Sequence, residues 1–209
     1  MTEKKDTYHH PNLREALIQE TEKMLAGCQL DSITLQELGL RLGVTRSAPY
    51  RHFASKNLLL CAVAERACGR FKLMLRDIRL QAQLPPQERF RQMVIAYFTF
   101  AVGNPDYYRL LFREPLMGAN QTPELAQSRA SSFEELLLML QECQDAGLVQ
   151  VGDKGQQALF VWSTMHGMSS LLVDGHLRLD VVGEGIFEVL FQNIMQGLAA
   201  YPLAVASPL

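Results

Sequence analysis

The stretch from Ile33 to Leu59 carries the densest helix punctuation in the chain, and it restricts what the chain can fold into more than any other part. Thr34 has the side chain of a helix N-cap. Glu37 stands three residues later, which is the spacing of a capping box, and Ile33 and Leu38 occupy the two positions of a hydrophobic staple. Leu35, Leu38 and Leu42 recur at helical spacing as one apolar stripe. Gly43 follows as a stop, since glycine tolerates the left-handed conformation that ends many helices. Thr45 can then cap a short helix running to His52 or Phe53, and Ser55 can cap the next one from Lys56.

Two short helices joined by Leu42-Gly43-Val44 make the pattern of a helix-turn-helix, two helices crossing steeply over a tight glycine-containing turn. Charge sharpens that reading. The whole chain has 209 residues and a formal net charge of -2, so it is not a uniformly basic polymer binder. Yet from Gly39 to Lys56 it carries Arg41, Arg46, Arg51, His52 and Lys56, with no Asp or Glu. In a helix entering the major groove, the first turn faces the bases. Arg46 is the long donor there, able to bond guanine O6 and N7 in bidentate fashion. Thr45, Ser47, Tyr50 and His52 suit phosphates or base edges. Lys56 opens a helix, where N–H groups and dipole also favour a phosphate. Phe53 is the expected apolar anchor. Pro49 departs from an ordinary helix former and places the first turn of this helix in question.

The remaining chain reads as helix with no strand, repeat or low-complexity segment. A first helix is expected from about Leu13, closed by Gly27. The helix from Lys56 extends to about Leu80 and serves as a connector. Gln83-Leu84-Pro85-Pro86 breaks the chain, and further helices span about 86–102, 106–113, 123–146, 153–177 and 183–200, with Pro115 to Gln121 as a loop and a frayed tail. The expected architecture is all-α, with about nine helices. An arm and helix-turn-helix domain occupies 1–55, a connector helix 56–82, and an effector-binding and dimerisation bundle 83–209.

These motifs are similar to the N-terminal signature of the TetR family. The resemblance is carried by Ile33-Thr34-Leu35-Gln36-Glu37-Leu38, then Leu42-Gly43-Val44-Thr45-Arg46, then Pro49 through Leu59. It implies a homodimeric, DNA-binding transcriptional regulator, with Thr34, Thr45, Arg46, Ser47, Tyr50, Arg51, His52 and Lys56 in DNA-contacting roles. Two further segments resemble regulatory cores of such proteins: Asn104 through Phe112, and the W-x-x-x-H-G run Trp162 to Gly167. The family pattern implies a repressor released from a near-palindromic double-stranded operator by a small-molecule effector. An activator, or a helical ligand-binding or protein-partner module that does not bind DNA, stands as the alternative.

Two functions fall to the C-terminal half. Helix-turn-helix proteins read half-sites about 34 Å apart, so a dimer is required. The last two helices are expected to supply its interface, with Gly167, Ser169 and Ser170 permitting close approach and Ile186, Leu190, Ile194 and Leu198 supplying apolar area. For a small apolar or aromatic effector, the candidate lining is Tyr97, Phe100, Tyr108, Phe112, Phe133, Trp162, Met165 and His166.

No cofactor, metal site or enzymatic activity is expected. There is no Gly-rich phosphate loop, G-x-S-x-G or H-E-x-x-H. His9 and His10 are adjacent on an arm without fixed geometry, and Lys4 and Lys5 are read as solvated. Cys28, Cys61, Cys68 and Cys143 lack C-x-x-C spacing and read as buried thiols of a reducing cytosol. The N-terminus lacks an apolar leader, and the longest strictly apolar run, Leu58 to Ala64, is far short of a membrane span. The chain is expected to be cytoplasmic.

Overall fold

Caps and prolines set most of the helix starts. In the computed structural model, which describes residues 12–25, 32–112, 116, 120–183 and 185–199, nine α-helices follow one another and no strand occurs among the described residues. They are α1 (Leu13–Leu25), α2 (Leu35–Arg41), α3 (Lys56–Arg79), α4 (Pro86–Gly103), α5 (Pro105–Leu111), α6 (Pro123–Asp145), α7 (Lys154–Val173), α8 (Leu179–Val182) and α9 (Ile186–Leu198). A 3-10 turn, Pro49–Arg51, lies between α2 and α3. Proline opens α4, α5 and α6, where its missing N–H costs nothing because the first helical donors have no intrahelical partner. Side-chain oxygens cap four starts besides that of α1, where the Glu15 amide donates to Asn12 Oδ1 at 3.3 Å. The Leu58 amide donates to Ser55 Oγ at 3.3 Å and the Leu125 amide to Thr122 Oγ1 at 3.3 Å. The Gly155 and Gln156 amides both donate to Asp153 Oδ1, at 2.8 and 3.1 Å. The fourth cap, Thr34, belongs to the candidate site.

Two ends differ from expectation. Helix α7 stops at Val173 rather than near Leu177, because Gly175 takes φ +76° and the Leu177 amide turns back to the Leu171 carbonyl at 2.9 Å. The segment beyond it contains α8, a single turn held by an Arg178–Asp180 bridge at 2.6 Å, and Gly183 at φ +77° delays the last helix to Ile186. The expected Gly27 stop, Cys28, Arg113, the histidine and lysine arm, Pro115, residues 117–119 of the expected loop and the C-terminal tail lie outside the described residues.

The helices form two compact units. The first takes in the chain up to Gly69 together with Asp106–Arg129, and the second Arg70–Pro105 together with the chain from Ala130 onward. Helices α3 and α6 each run from one unit into the other. In the first unit, Leu17, Ile18, Leu25, Ile33, Leu38, Leu59 and Leu110 are fully buried. Each such side chain contributes about 1.5–3 kcal/mol by leaving water. The Arg66 guanidinium on α3 bridges Glu15 and Glu22 of α1. Arg129 on α6 donates to the carbonyls of Leu111 and Leu116 and to Gln121 Oε1.

In the second unit, Phe90, Phe98 and Phe191 are fully buried. Phe98 stacks on Phe187 with centroids 4.8 Å apart, and Phe90 meets Phe191 edge-on at 5.8 Å. Arg79 at the end of α3 holds Glu135 and Glu142 of α6, both at 2.9 Å, and Arg89 of α4 joins Glu142 and the Arg79 carbonyl. Glu135 is buried, so its charge is tolerated only because the guanidinium is there.

Candidate nucleic-acid interface

The candidate site is built on α2 and the turn that follows it. The Glu37 amide donates to Thr34 Oγ1 at 3.1 Å, which forms the first half of the expected capping box. The reciprocal half is absent, because the Glu37 carboxylate instead accepts from Arg41 Nε at 3.0 Å. Ile33 and Leu38 are both fully buried, as a staple requires. Gly43 adopts φ +67°, a conformation that costs a side-chain-bearing residue energy, and the Val44 amide returns to the Gly39 carbonyl at 2.9 Å. This reversal sends the chain back across α2.

The segment after the turn is not the α-helix that the spacing from Thr45 to Phe53 suggests. Its backbone bonds are mostly of the tighter i to i+3 kind: Ala48 to Thr45, Arg51 to Ala48 and His52 to Pro49, at 3.0–3.2 Å. Only the Phe53 amide reaches four residues back, to Pro49 at 3.0 Å. The physical reason is Pro49, which has no amide hydrogen to give the Thr45 carbonyl. Thr45 contributes its carbonyl, while its hydroxyl lies 3.4 Å from Ser47 Oγ. Proline also has a packing role. It is buried, and a Cβ added at Gly39 would meet its Cγ at 3.1 Å, so the two elements approach closely at a residue without a side chain. Phe53 is the second anchor, 4% exposed, with the Arg14 guanidinium 5.3 Å above its ring.

Held by these two anchors, Thr45, Arg46, Ser47, Tyr50, Arg51 and His52 all stand exposed. Thr34 is exposed beside them at the α2 start, and Lys56 is half-buried at the α3 start. Arg46 and Arg51 form no ion pair with any described residue, whereas Arg41 is occupied by Glu37 and by Glu20 at 3.7 Å. Chemically, the segment offers two unneutralised guanidiniums and several hydroxyl and imidazole groups, with no carboxylate among them. The sequence reading passed over Leu40, which is 73% exposed on α2 next to the turn. Its position outside the Leu35–Leu38–Leu42 stripe was the available signal.

The expected effector residues divide. Tyr97, Phe100, Phe133, Trp162, Met165 and His166 belong to the second unit. Phe133 meets Trp162 at 6.1 Å, and Trp162 meets His166 at 5.7 Å. The Tyr97 hydroxyl lies 3.5 Å from His166 Nδ1. Burial lowers the His166 pKa below its ordinary value. Tyr108 and Phe112 belong to the first unit, where their rings pack together at 4.9 Å. A further aromatic, Phe71 of α3, contacts Tyr97 at 5.7 Å and Phe100 at 5.0 Å. It was missed because the helix carrying it reads as a connector.

The last helices turn a different face outward from the one expected. Leu190, Ile194 and Leu198 of α9, and Ser169 of α7, are buried within the single chain. The strongest apolar stripe of α9 is consumed by its own core. What stays exposed beyond the first turn is Leu159, Phe160, Ser163, Gly167 and Leu171 on α7, and Val189, Gln192, Asn193, Gln196 and Gly197 on α9. Neither set contains a charge. The Phe160 ring sits so close to Gly197 that a Cβ there would meet it at 2.7 Å, which joins the two exposed faces into one.

Among the described residues, no group of three or more His, Cys, Asp or Glu could hold a metal ion, and no helix is long and apolar enough to cross a membrane. Cys61, Cys68 and Cys143 are buried thiols outside any disulfide, and burial pushes Cys68 to about 11 and Cys143 to about 12. Comparison with known proteins then places the chain. Residues 90–194 match the family model described as Tetracyclin repressor-like, C-terminal domain. The chain is 31% identical over 131 residues to the nucleoid occlusion factor SlmA of Marinobacter nauticus, covering 63% of this chain and 65% of that protein's length. A solved structure of a protein with unknown function from Rhodococcus sp. RHA1 is 27% identical, with a TM-score of 0.78 over 94% of this chain and 100% of that one. A TetR-family transcriptional regulator from Pectobacterium atrosepticum shares the fold, with a TM-score of 0.65, 20% identity and 90% of each chain covered. From the match over residues 90–194 and the fold shared with a family member, the chain belongs to the TetR family of regulators.

Proposed function

We propose that this protein is a cytoplasmic, homodimeric, sequence-specific DNA-binding regulator that acts as a repressor on a near-palindromic operator. The observation that carries the reading is the segment Thr45–His52. It is exposed and free of carboxylates, its two arginines make no ion pair with a described residue, and buried Pro49 and Phe53 fix it to α2. Such a surface lowers its own electrostatic energy by meeting phosphates and guanine edges. Arg46 and Ser47 precede the 3-10 turn and reach for bases. Thr34, Thr45, Tyr50, Arg51, His52 and Lys56 position the backbone. Leu40 adds an apolar contact to a sugar or thymine methyl.

Two copies join through the uncharged faces of α7 and α9. Association removes Leu159, Phe160, Leu171 and Val189 from water without stranding a charge, and Gly167 and Gly197 let the helices approach. A small apolar or aromatic effector in the C-terminal half releases the operator by favouring a dimer whose DNA-reading segments are wrongly spaced. Selection of bound duplexes from a random pool tests the reading. Enrichment of an inverted repeat with half-sites about one helical turn apart is expected. Enrichment of a single unrepeated motif, or none, contradicts it.

A further inference from the structure

Five aromatic rings in the second unit stand out by what they leave uncovered. Phe71, Phe100, Phe133, Trp162 and His166 are only half-buried, although ring contacts link them within two clusters. In the same unit, Phe90, Phe98 and Phe191 are closed off completely. Protein interiors ordinarily fill to crystal-like density, and rings of this size gain most when both faces are covered. Tyr97, which contacts Phe71 and lies beside His166, links the two groups.

Polar groups here are few and neutral. Besides the Tyr97–His166 pair, Ser169 stands one turn along α7 from His166. Its hydroxyl is fully buried and meets no hydrogen-bond partner among the described residues. Buried hydroxyls ordinarily hold a hydrogen bond, so this one has donor and acceptor capacity that the described residues do not use. Formal charge is absent over two of the four helical stretches concerned. Between Gln92 and Gly103 on α4, and between Gly155 and Val173 on α7, there is no Asp, Glu, Lys or Arg. Arg70 and Lys72 flank Phe71, and Glu134 follows Phe133, but adjacent helical positions point about 100° apart. Glu135 is already held by Arg79. A carboxylate or ammonium brought here would lose its water without gaining a counter-charge, whereas a hydroxyl can both donate to and accept from the neutral groups present.

We propose that this aromatic cluster binds an uncharged aromatic molecule bearing a hydroxyl, and that it rejects the matching carboxylic acids and amines. The inference deepens the effector reading above, and it depends on that reading only for the consequence at DNA. Trp162 is the single tryptophan of the chain, so its fluorescence reports on this site alone.

The test titrates the protein with four matched probes: biphenyl, 4-phenylphenol, biphenyl-4-carboxylate and 4-phenylbenzylammonium. The signal is Trp162 emission excited at the red edge of the indole band. Saturable binding of 4-phenylphenol is expected, at least tenfold tighter than either charged probe. His166→Leu should weaken it roughly fivefold, towards the biphenyl value, as loss of one hydrogen bond predicts. Tyr97→Phe gives a second reading if the leucine variant does not fold. A carboxylate or ammonium binding more tightly than the phenol, or no saturable change with any probe, overturns the proposal. Operator binding measured at saturating 4-phenylphenol separates the two layers. Bound phenol with unchanged DNA affinity contradicts the effector reading and leaves the ligand class standing.

Discussion

Arginine has opposite uses in the segment after Gly43 and in the second unit. In the second, Arg79, Arg89 and Arg91 are committed to Glu135, Glu142 and Glu188, and the first two lie largely out of solvent. In the first, Arg46 and Arg51 point outward from a segment with no carboxylate and make no ion pair with a described residue. The net charge of -2 hides this difference. Availability, and not abundance, makes a cation a recognition group. A guanidinium that already holds a carboxylate has given up most of what it would offer a phosphate. The structural arginines stabilise because their loss strands a buried charge. The exposed ones are nearly neutral for folding and, on the proposed function, are left for DNA.

The largest expected effect lies on the structural side. Arg79→Ala leaves the buried Glu135 carboxylate without its partner and should cost about 3 kcal/mol of stability in urea denaturation. Arg46→Ala and Arg51→Ala should each stay within about 0.5 kcal/mol of the parent in the same assay. Equal losses at Arg79 and Arg46 would erase the distinction. Next comes the packing that holds the recognition segment. Gly39→Val drives a branched side chain into Pro49 and should cost about 2 kcal/mol, together with a loss of operator affinity. Unchanged stability would mean that the Gly39–Pro49 approach does not fix the turn. Thr34→Ala removes the oxygen that accepts from the Glu37 amide and should cost about 1 kcal/mol, read from the shift in denaturation midpoint.

The smallest effect concerns pH. Burial lowers the His166 pKa below the ordinary 6.5, so in the window between those two values the unfolded chain binds the proton more tightly than the folded one. That contribution to stability is fully present above 6.5 and falls as pH drops through the window. His166→Leu should flatten this part of the stability profile, and a profile unchanged by the substitution would show that the imidazole is not disfavoured on protonation.

Local signals were legible in the sequence and tertiary ones were not. The caps at Thr34 and Ser55 and the stop at Gly43 are each decided within a few residues, so the chain announces them. Pro49 announced that something would be irregular, since a missing amide is visible in any sequence. It did not reveal that most of the segment takes 3-10 bonds, because a missing amide removes one i to i+4 bond and does not say what replaces it. Periodicity identified the apolar stripe of α9 but not what covers it, and Leu190, Ile194 and Leu198 turned out to face their own core. Phe71 was invisible as a site residue for the same reason. A connector helix reads the same whether or not an aromatic on it meets Tyr97 and Phe100.

The most direct test of the recognition segment is the salt dependence of operator affinity by fluorescence anisotropy, using the selected inverted repeat and a scrambled duplex. The parent should lose affinity steeply as salt rises. Lys56→Ala should flatten that slope by about one ion on both duplexes, and Arg46→Ala should reduce discrimination between them by roughly 1–3 kcal/mol. Equal binding of the parent to both duplexes, or discrimination that survives Arg46→Ala intact, would contradict the assignment of base reading to the turn after Gly43.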